Sequence, residues 1–228
     1  MSKNKKKLWK NIVNNELLKR SISSIILLVI TFFCIIKGSY LFNILLIAIL
    51  LISSLEWHNM SKNKSYYLLG FLYLFFSLFC VYQLRFEFTN DASLFLLISI
   101  ICILTDLGGF IFGKIFQGPK LTKYSPNKTY SGLFGSFLLS LCIIPINFLF
   151  SFLNDIILIN IVIFTLIVSG VSQFGDIFIS YFKRKSKIKD TGIVIPGHGG
   201  LLDRIDGMIF AFPVSYIIVL FNFFEIVK

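Results

Sequence analysis

The sequence predicts an all-α polytopic membrane protein, and three observations carry that expectation. Hydrophobic residues make up 56% of its 228 positions, above the roughly 45–50% usual for soluble domains. Seven apolar runs approach the roughly 20 residues that cross a hydrocarbon core: 22–37, 40–56, 66–83, 92–113, 131–153, 156–180 and 207–225. The basic residues then alternate with those runs as a membrane topology requires. A soluble helical core is excluded, because the runs leave no polar face for water to cover.

The net charge is +11. With the N-terminus in the cytoplasm, nineteen of the 22 Lys and Arg residues fall on the cytoplasmic side, and only Lys37, Arg85 and Lys228 fall outside. That is the positive-inside asymmetry of a seven-span chain with its C-terminus out. Orientation accounts for the basicity, so nucleic acid is not needed as a partner. The expected organisation is a basic cytoplasmic segment, 1–20, followed by one transmembrane domain, 21–228, with cytoplasmic loops at 114–130 and 183–206.

Each run has its own reading. The first is a span rather than a cleaved leader: no small-residue A-x-A pattern follows it, and KGSYLF enters the next run at once. QLRFEFTND (83–91) and LND (153–155) read as plain outer turns. Cys34, Cys80, Cys102 and Cys142 lie inside apolar runs without close metal or redox spacing, and read as small buried hydrophobes. In the fourth run, Asp106 is an ionisable group at membrane depth. There it costs roughly 2.5–3.5 kcal/mol on insertion scales, so it is expected to face protein or a polar site. Gly109 with Gly113, and the row Gly132, Ser136, Ser140, are expected to pack helices closely. GKIFQGPK (113–120) imitates a phosphate-binding loop but has Pro119 where the lysine belongs, and it leaves a helix rather than a strand. SPNKTYSG (125–132) places Lys128 and Thr129 at a helix start, where free N–H groups suit a phosphate.

The densest polar chemistry lies at 175–207. Asp176, Ser180, Lys183 and Arg184 fall at i, i+4, i+7 and i+8, one helical face. Gly192, Pro196, Gly197, Gly199 and Gly200 forbid regular helix and let backbone approach a ligand. Asp203, Arg204 and Asp206 follow at the start of the last run, with the two acids sharing a face if that turn is helical. Hard oxygen ligands of this kind suit Mg²⁺, which takes one or two carboxylates and shares the substrate's phosphates. Nearby Lys and Arg side chains would hold the remaining phosphate oxygens. Only His58 and His198 are present, which makes zinc a poor fit. The chemistry reads as metal-assisted phosphoryl or nucleotidyl transfer at a membrane surface.

SYFKRKSKIKDTGIVIPGHGGLLDRID, residues 180–206, resembles the signature of the phosphatidate cytidylyltransferases, also called CDP-diglyceride synthetases. That signature is Ser, a free and a hydrophobic position, Lys-Arg, four residues, Lys-Asp, then Pro-x-His-Gly-Gly-hydrophobic-x-Asp-Arg-hydrophobic-Asp. Every fixed position is met. SPNKTYSG resembles a second family segment, and Asp106 with Gly108 and Gly109 resembles the acidic, glycine-containing stretch before it. Two acids frequent in the family are absent, with Ile179 at one place and Tyr130-Ser131-Gly132 at the other.

The resemblance implies transfer of the cytidylyl group of CTP to phosphatidate, giving CDP-diacylglycerol and pyrophosphate, in a multi-pass protein of the plasma (inner) membrane with its site facing the cytoplasm. It implies Mg²⁺ on Asp176 and Asp203, with Asp206 and Asp190 as a third ligand or orienters. Lys183, Arg184, Lys189 and Arg204 would hold phosphate oxygens, joined by Lys128 and Thr129 from the other loop. Ser180 would lie in the site, Gly199 and Gly200 would offer backbone N–H groups, His198 would fix the loop or donate to pyrophosphate, and Asp106 would edge the site. A homodimer is compatible with the family. The competing readings are a transporter or anionic-lipid-binding protein without catalysis, and another CTP-using lipid enzyme such as a polyprenol kinase.

Overall fold

The computed structural model describes residues 29, 31–35, 37–86, 92–150, 157–194 and 199–223. Its elements are α1 (Ser39–Ser61), α2 (Tyr67–Phe86), α3 (Ser93–Phe116), α4 (Tyr130–Ser140), α5 (Ile143–Phe150), α6 (Leu158–Lys185), α7 (Leu202–Ile205) and α8 (Met208–Leu220). Among the described residues, extended pairing is limited to an isolated antiparallel bridge between Lys120 and Thr129.

Among the described residues, five stretches are long and apolar enough to cross a membrane: Tyr40–Ser61, Tyr67–Phe86, Ser93–Phe116, Tyr130–Phe150 and Leu158–Lys185. The all-α membrane class therefore stands, while seven spans are not reached among those residues. The basic segment 1–20 lies outside them, as does most of the 22–37 run, although 31–35 are helical. The last apolar helix, Met208–Leu220, is shorter than the expected 207–225.

Two prolines shape the bundle. The expected fifth span is divided into α4 and α5 by a turn at 141–142. Pro145 stands at the third position of α5, where its ring opposes the carbonyl of Leu141 and it offers no N–H. The chain tightens instead, with Cys142 N–H donating to the Leu139 carbonyl at 3.0 Å and Ile144 N–H to that of Leu141 at 3.1 Å. Pro213, inside α8, leaves the Ile209 carbonyl without its helical donor. Ser77 of α2 supplies one, its hydroxyl donating to that carbonyl at 2.8 Å. No water is available in a bilayer core to do the same.

The core lies where α2, α3, α6 and α8 meet, around Leu84, Leu97, Ile98, Phe164 and Val168, all fully buried. Phe95 of α3 stacks on Phe212 of α8 at 5.3 Å between ring centroids. Polar pairs cross the same layer, with the Thr105 hydroxyl of α3 donating to that of Ser169 in α6 at 2.9 Å.

Helices α3 and α4 are the closest pair, and their seam is made of small residues, as expected from the sequence. A Cβ at Gly108 would stand 2.4 Å from the Gly135 carbonyl oxygen, and one at Gly132 would stand 2.8 Å from that of Gly109. At Gly135 a Cβ would fall 2.2 Å from the Phe112 side chain. Without a hydrophobic force between helices in lipid, such close approach is what holds a pair together. Gly135→Val is expected to destabilise the protein by about 1–3 kcal/mol, the usual cost of overpacking, lowering its melting temperature in detergent. The control Leu138→Val, at an exposed position, leaves the melting temperature within a degree or two.

Candidate active site

The α3–α4 seam carries the loop 117–129 against the end of α6. That loop is closed on itself by Leu121 N–H to the Lys128 carbonyl at 2.8 Å and Tyr130 N–H to that of Pro119 at 3.2 Å. Thr129 caps α4, its hydroxyl accepting from Gly132 N–H at 3.1 Å, as the preference for Thr at a helix start predicts. Ser131 donates from its hydroxyl to the Gln117 carbonyl. Lys128 is thereby pointed at α6, where its Nζ lies 2.6 Å from Asp176 Oδ2 and 3.4 Å from the Gln173 carbonyl oxygen.

Between these elements lies a polar cavity of about 640 Å³, within the range of small-molecule sites. Six groups that define it chemically are Asp106, Lys128, Asp176, Asp203, Arg204 and Asp206, and Ser180 and Thr129 also line it. The helical face expected from the sequence therefore splits. Asp176 and Ser180 face the cavity, Lys183 turns to Asp203, and Arg184 donates to the Tyr124 and Ile188 carbonyls at 3.3 and 3.4 Å. Arg184 ties the two loops together rather than lining the cavity. Asp106 is reached because Thr105, Gly109 and Ser136 also line the cavity, so it extends down between α3, α4 and α6.

The last helix begins with the helical turn that the pairing of Asp203 with Asp206 needs. Leu201, Asp206 and Gly207 all have right-handed helical dihedrals, so α7 continues into α8 and the two acids share the cavity face. Their environments differ. Asp203 Oδ1 accepts from Lys183 Nζ at 2.8 Å, and Oδ2 accepts from the N–H groups of Thr191 at 2.8 Å and Gly200 at 3.2 Å. Both side chains of that ion pair are nearly buried. Burial pushes the Asp203 carboxyl up, but the Lys183 and Thr191 hydrogen bonds, the Lys183 charge and the Gly200 N–H outweigh it and hold it below its ordinary value. Asp206 Oδ1 accepts from the N–H of Gly207 at 3.0 Å. Burial first and the adjacent Asp176 carboxylate second push it well above the ordinary range. Among the described residues, Asp176 Oδ1 is buried and has no hydrogen-bond partner.

A divalent cation fits this donor set at Asp176 and Asp206, two neighbouring carboxylates of which one has an unpartnered oxygen. It fits Asp203 less well than the sequence suggests, because three donors already engage both oxygens there. Among the described residues no three His, Cys, Asp or Glu side chains form a complete cage.

The remaining candidates from the sequence sit elsewhere. Lys189 and Asp190 are exposed and do not line the cavity. Gly199 has φ +86°, the left-handed region that favours glycine. Gly200 was expected to offer its N–H to phosphate. Instead that N–H serves Asp203, and a Cβ there would stand 2.1 Å from the Thr191 hydroxyl. His198 lies outside the described residues. Two groups were missed. Gln173 lines the cavity and is 7% exposed. Glu56, 3% exposed near the end of α1, accepts from the Thr191 hydroxyl and from the N–H groups of Leu201 and Leu202. An acid inside the apolar run LLISSLEW carried the same signal that singled out Asp106.

Comparison with known proteins places the chain in a family. Residues 64–222 match the model of the cytidylyltransferase family. A protein of Rickettsia typhi named phosphatidate cytidylyltransferase is 37% identical over 211 residues, covering 86% of this chain and 89% of its own. One of the same name from Rickettsia bellii is 34% identical, with 96% of this chain and 97% of its own covered. In Staphylococcus saprophyticus a third is 35% identical over 67% of this chain and 55% of its own. With the signature, the loop 117–129 and the residues lining the cavity all inside the matched segment, the chain belongs to the cytidylyltransferase family.

Proposed function

We propose that this protein is a phosphatidate cytidylyltransferase, transferring the cytidylyl group of CTP to phosphatidate to give CDP-diacylglycerol and pyrophosphate. The observation that carries the reading is the polar cavity in which Lys128, Asp176, Arg204 and Asp206 converge at the end of membrane helices. A transporter or lipid-binding protein would use cations there, but it would not need acids held beside them. We further propose seven spans, with the N-terminus and the site on the cytoplasmic side of the plasma membrane, on the strength of the basic-residue asymmetry.

The nucleophile is a phosphatidate oxygen, already anionic, and it attacks the α-phosphorus of CTP as the bond to pyrophosphate breaks. No general base is needed, so the residues act by positioning and by offsetting charge. Mg²⁺ held by Asp176 and Asp206 would neutralise phosphate oxygens. Lys128 exchanges its pairing with Asp176 for a phosphate oxygen, and Arg204 holds another through its planar fork. Lys183 keeps Asp203 in place, and Asp203 in turn fixes the backbone at Thr191 and Gly200. Ser180 and Thr129 offer hydroxyls at the cavity wall. Arg184 and Lys189 lie toward the loops, where they fit lipid phosphate at the membrane surface better than the nucleotide.

The test uses purified protein in liposomes containing phosphatidate, with labelled CTP. Label is expected to enter a lipid, and Asp176→Asn is expected to lower turnover by about 10²-fold or more, as removal of a preorganised charge-stabilising group does. A wild-type protein that binds CTP but forms no liponucleotide sinks the catalytic reading. Removing divalent cations with EDTA is expected to abolish turnover, and adding Mg²⁺ to restore it. For the topology, a fluorescent protein fused after Lys228 is expected to stay dark in cells, while alkaline phosphatase fused there is active.

A further inference from the structure

We infer that Glu56, in α1, is a positioning residue that holds together Thr191 and the start of α7, and so sets the register of the helix start carrying Asp203, Arg204 and Asp206. This rests on reading the cavity as the nucleotidyl-transfer site. Glu56 does not line that cavity. It acts from behind, where its carboxylate meets three neutral donors. Thr191 donates its hydroxyl to Oε2 at 2.9 Å, Leu202 its N–H to Oε2 at 2.8 Å, and Leu201 its N–H to Oε1 at 2.8 Å.

Those donors bracket the loop, with Thr191 entering it and Leu201 and Leu202 leaving it. Two glycines admit the carboxylate between the two ends: a Cβ at Gly192 would stand 2.6 Å from Oε1, and one at Gly200 would stand 2.6 Å from Oε2. Asp203 provides a second brace across the same gap through Thr191 N–H and Gly200 N–H. The two braces share Thr191, one taking its hydroxyl and the other its amide. Fixing the N–H groups of Leu201 and Leu202 fixes the rotation of α7, and hence which side chains turn toward Asp176.

The chemistry of the site demands a carboxylate in particular. All three partners are donors, and an ionised Glu is acceptor-only. Glutamine has nearly the same shape, but it would place an NH₂ group against an N–H or O–H donor and leave a buried donor unpaired. Glu56→Gln therefore isolates the hydrogen bonding from the packing.

The experiment compares the wild-type chain with Glu56→Gln, Thr191→Val and the double variant in phosphatidate liposomes with CTP and Mg²⁺. Backbone hydrogen exchange of the same samples is followed by mass spectrometry. The expected result for Glu56→Gln is a fall in kcat of about tenfold or more, with KM for CTP and phosphatidate within about threefold. Exchange in peptides covering 190–202 should quicken by about tenfold, the scale of an unpaired buried donor, while α3 and α4 keep wild-type protection. Thr191→Val should have a smaller effect, and the double variant should be no worse than Glu56→Gln alone, since contacting partners do not add. An unchanged kcat, a rise in KM alone, additive effects, or loosened exchange throughout the bundle would each overturn the proposal. Should the wild type form no liponucleotide, the reaction assignment fails, and the exchange comparison still decides whether Glu56 braces the loop.

Discussion

An ionised carboxylate at the edge of a membrane must be given donors or a cation, and this molecule is organised around that constraint. Burial of an uncompensated charge costs several kcal/mol even after relaxation. The structure answers in two ways. Glu56 and Asp203 are saturated, one by three neutral donors and the other by Lys183 and two backbone N–H groups. Among the described residues, Asp176 has one oxygen on Lys128 and one without a partner, and Asp206 accepts from the N–H of Gly207 and lies against Asp176. The saturated acids hold backbone, and the other pair faces the cavity. That division of labour follows from counting acceptors and donors, before any reaction is considered.

The same need for partners explains the scaffold. A carbonyl freed by Pro213 is met by Ser77 from another helix. The small-residue seam of α3 and α4 brings backbone to backbone, and with it the loop that delivers Lys128 to Asp176. The seam is therefore a functional element although none of its glycines needs to touch substrate. A shift of α4 along α3 would move Lys128, which is fixed to α4 through the Thr129 cap, away from α6.

Much of this was legible in the sequence. The apolar runs gave the membrane class, because about 20 consecutive apolar residues match the thickness of a hydrocarbon core and exceed what a buried helix of a soluble domain needs. The small-residue spacing at Gly109, Gly113 and Gly132 gave the close seam. The i, i+3 spacing of Asp203 and Asp206 placed both acids on one face, and the structure puts both on the cavity. Legibility ended where a partner comes from a distant element. Nothing local to Asp203 says that Thr191 N–H will saturate it, or that Gly200 will spend its N–H the same way. Helical periodicity put Lys183 and Arg184 beside Asp176, but periodicity does not report that long side chains turn toward the nearest unsatisfied acid or carbonyl. Glu56 was visible as an acid in an apolar run, yet its three donors lie some 135–146 residues away. The division of the fifth run followed from Pro145 and was a local signal passed over.

The contrast between the two kinds of acid bears on how such a site handles a highly charged reaction. CTP and phosphatidate both arrive as anions, so their approach is opposed unless cations stand ready. A cavity lined only by lysines and arginines would bind both phosphates tightly before and after transfer alike, and uniform binding does not accelerate the step. Pairing Lys128 with Asp176 at 2.6 Å fixes that cation in direction and partly neutralises it. The donors then need little reorganisation when charge shifts toward the departing pyrophosphate, which is where preorganised electrostatics contribute most. The acids are thus part of how the cations are held, Lys128 by Asp176 and Lys183 by Asp203.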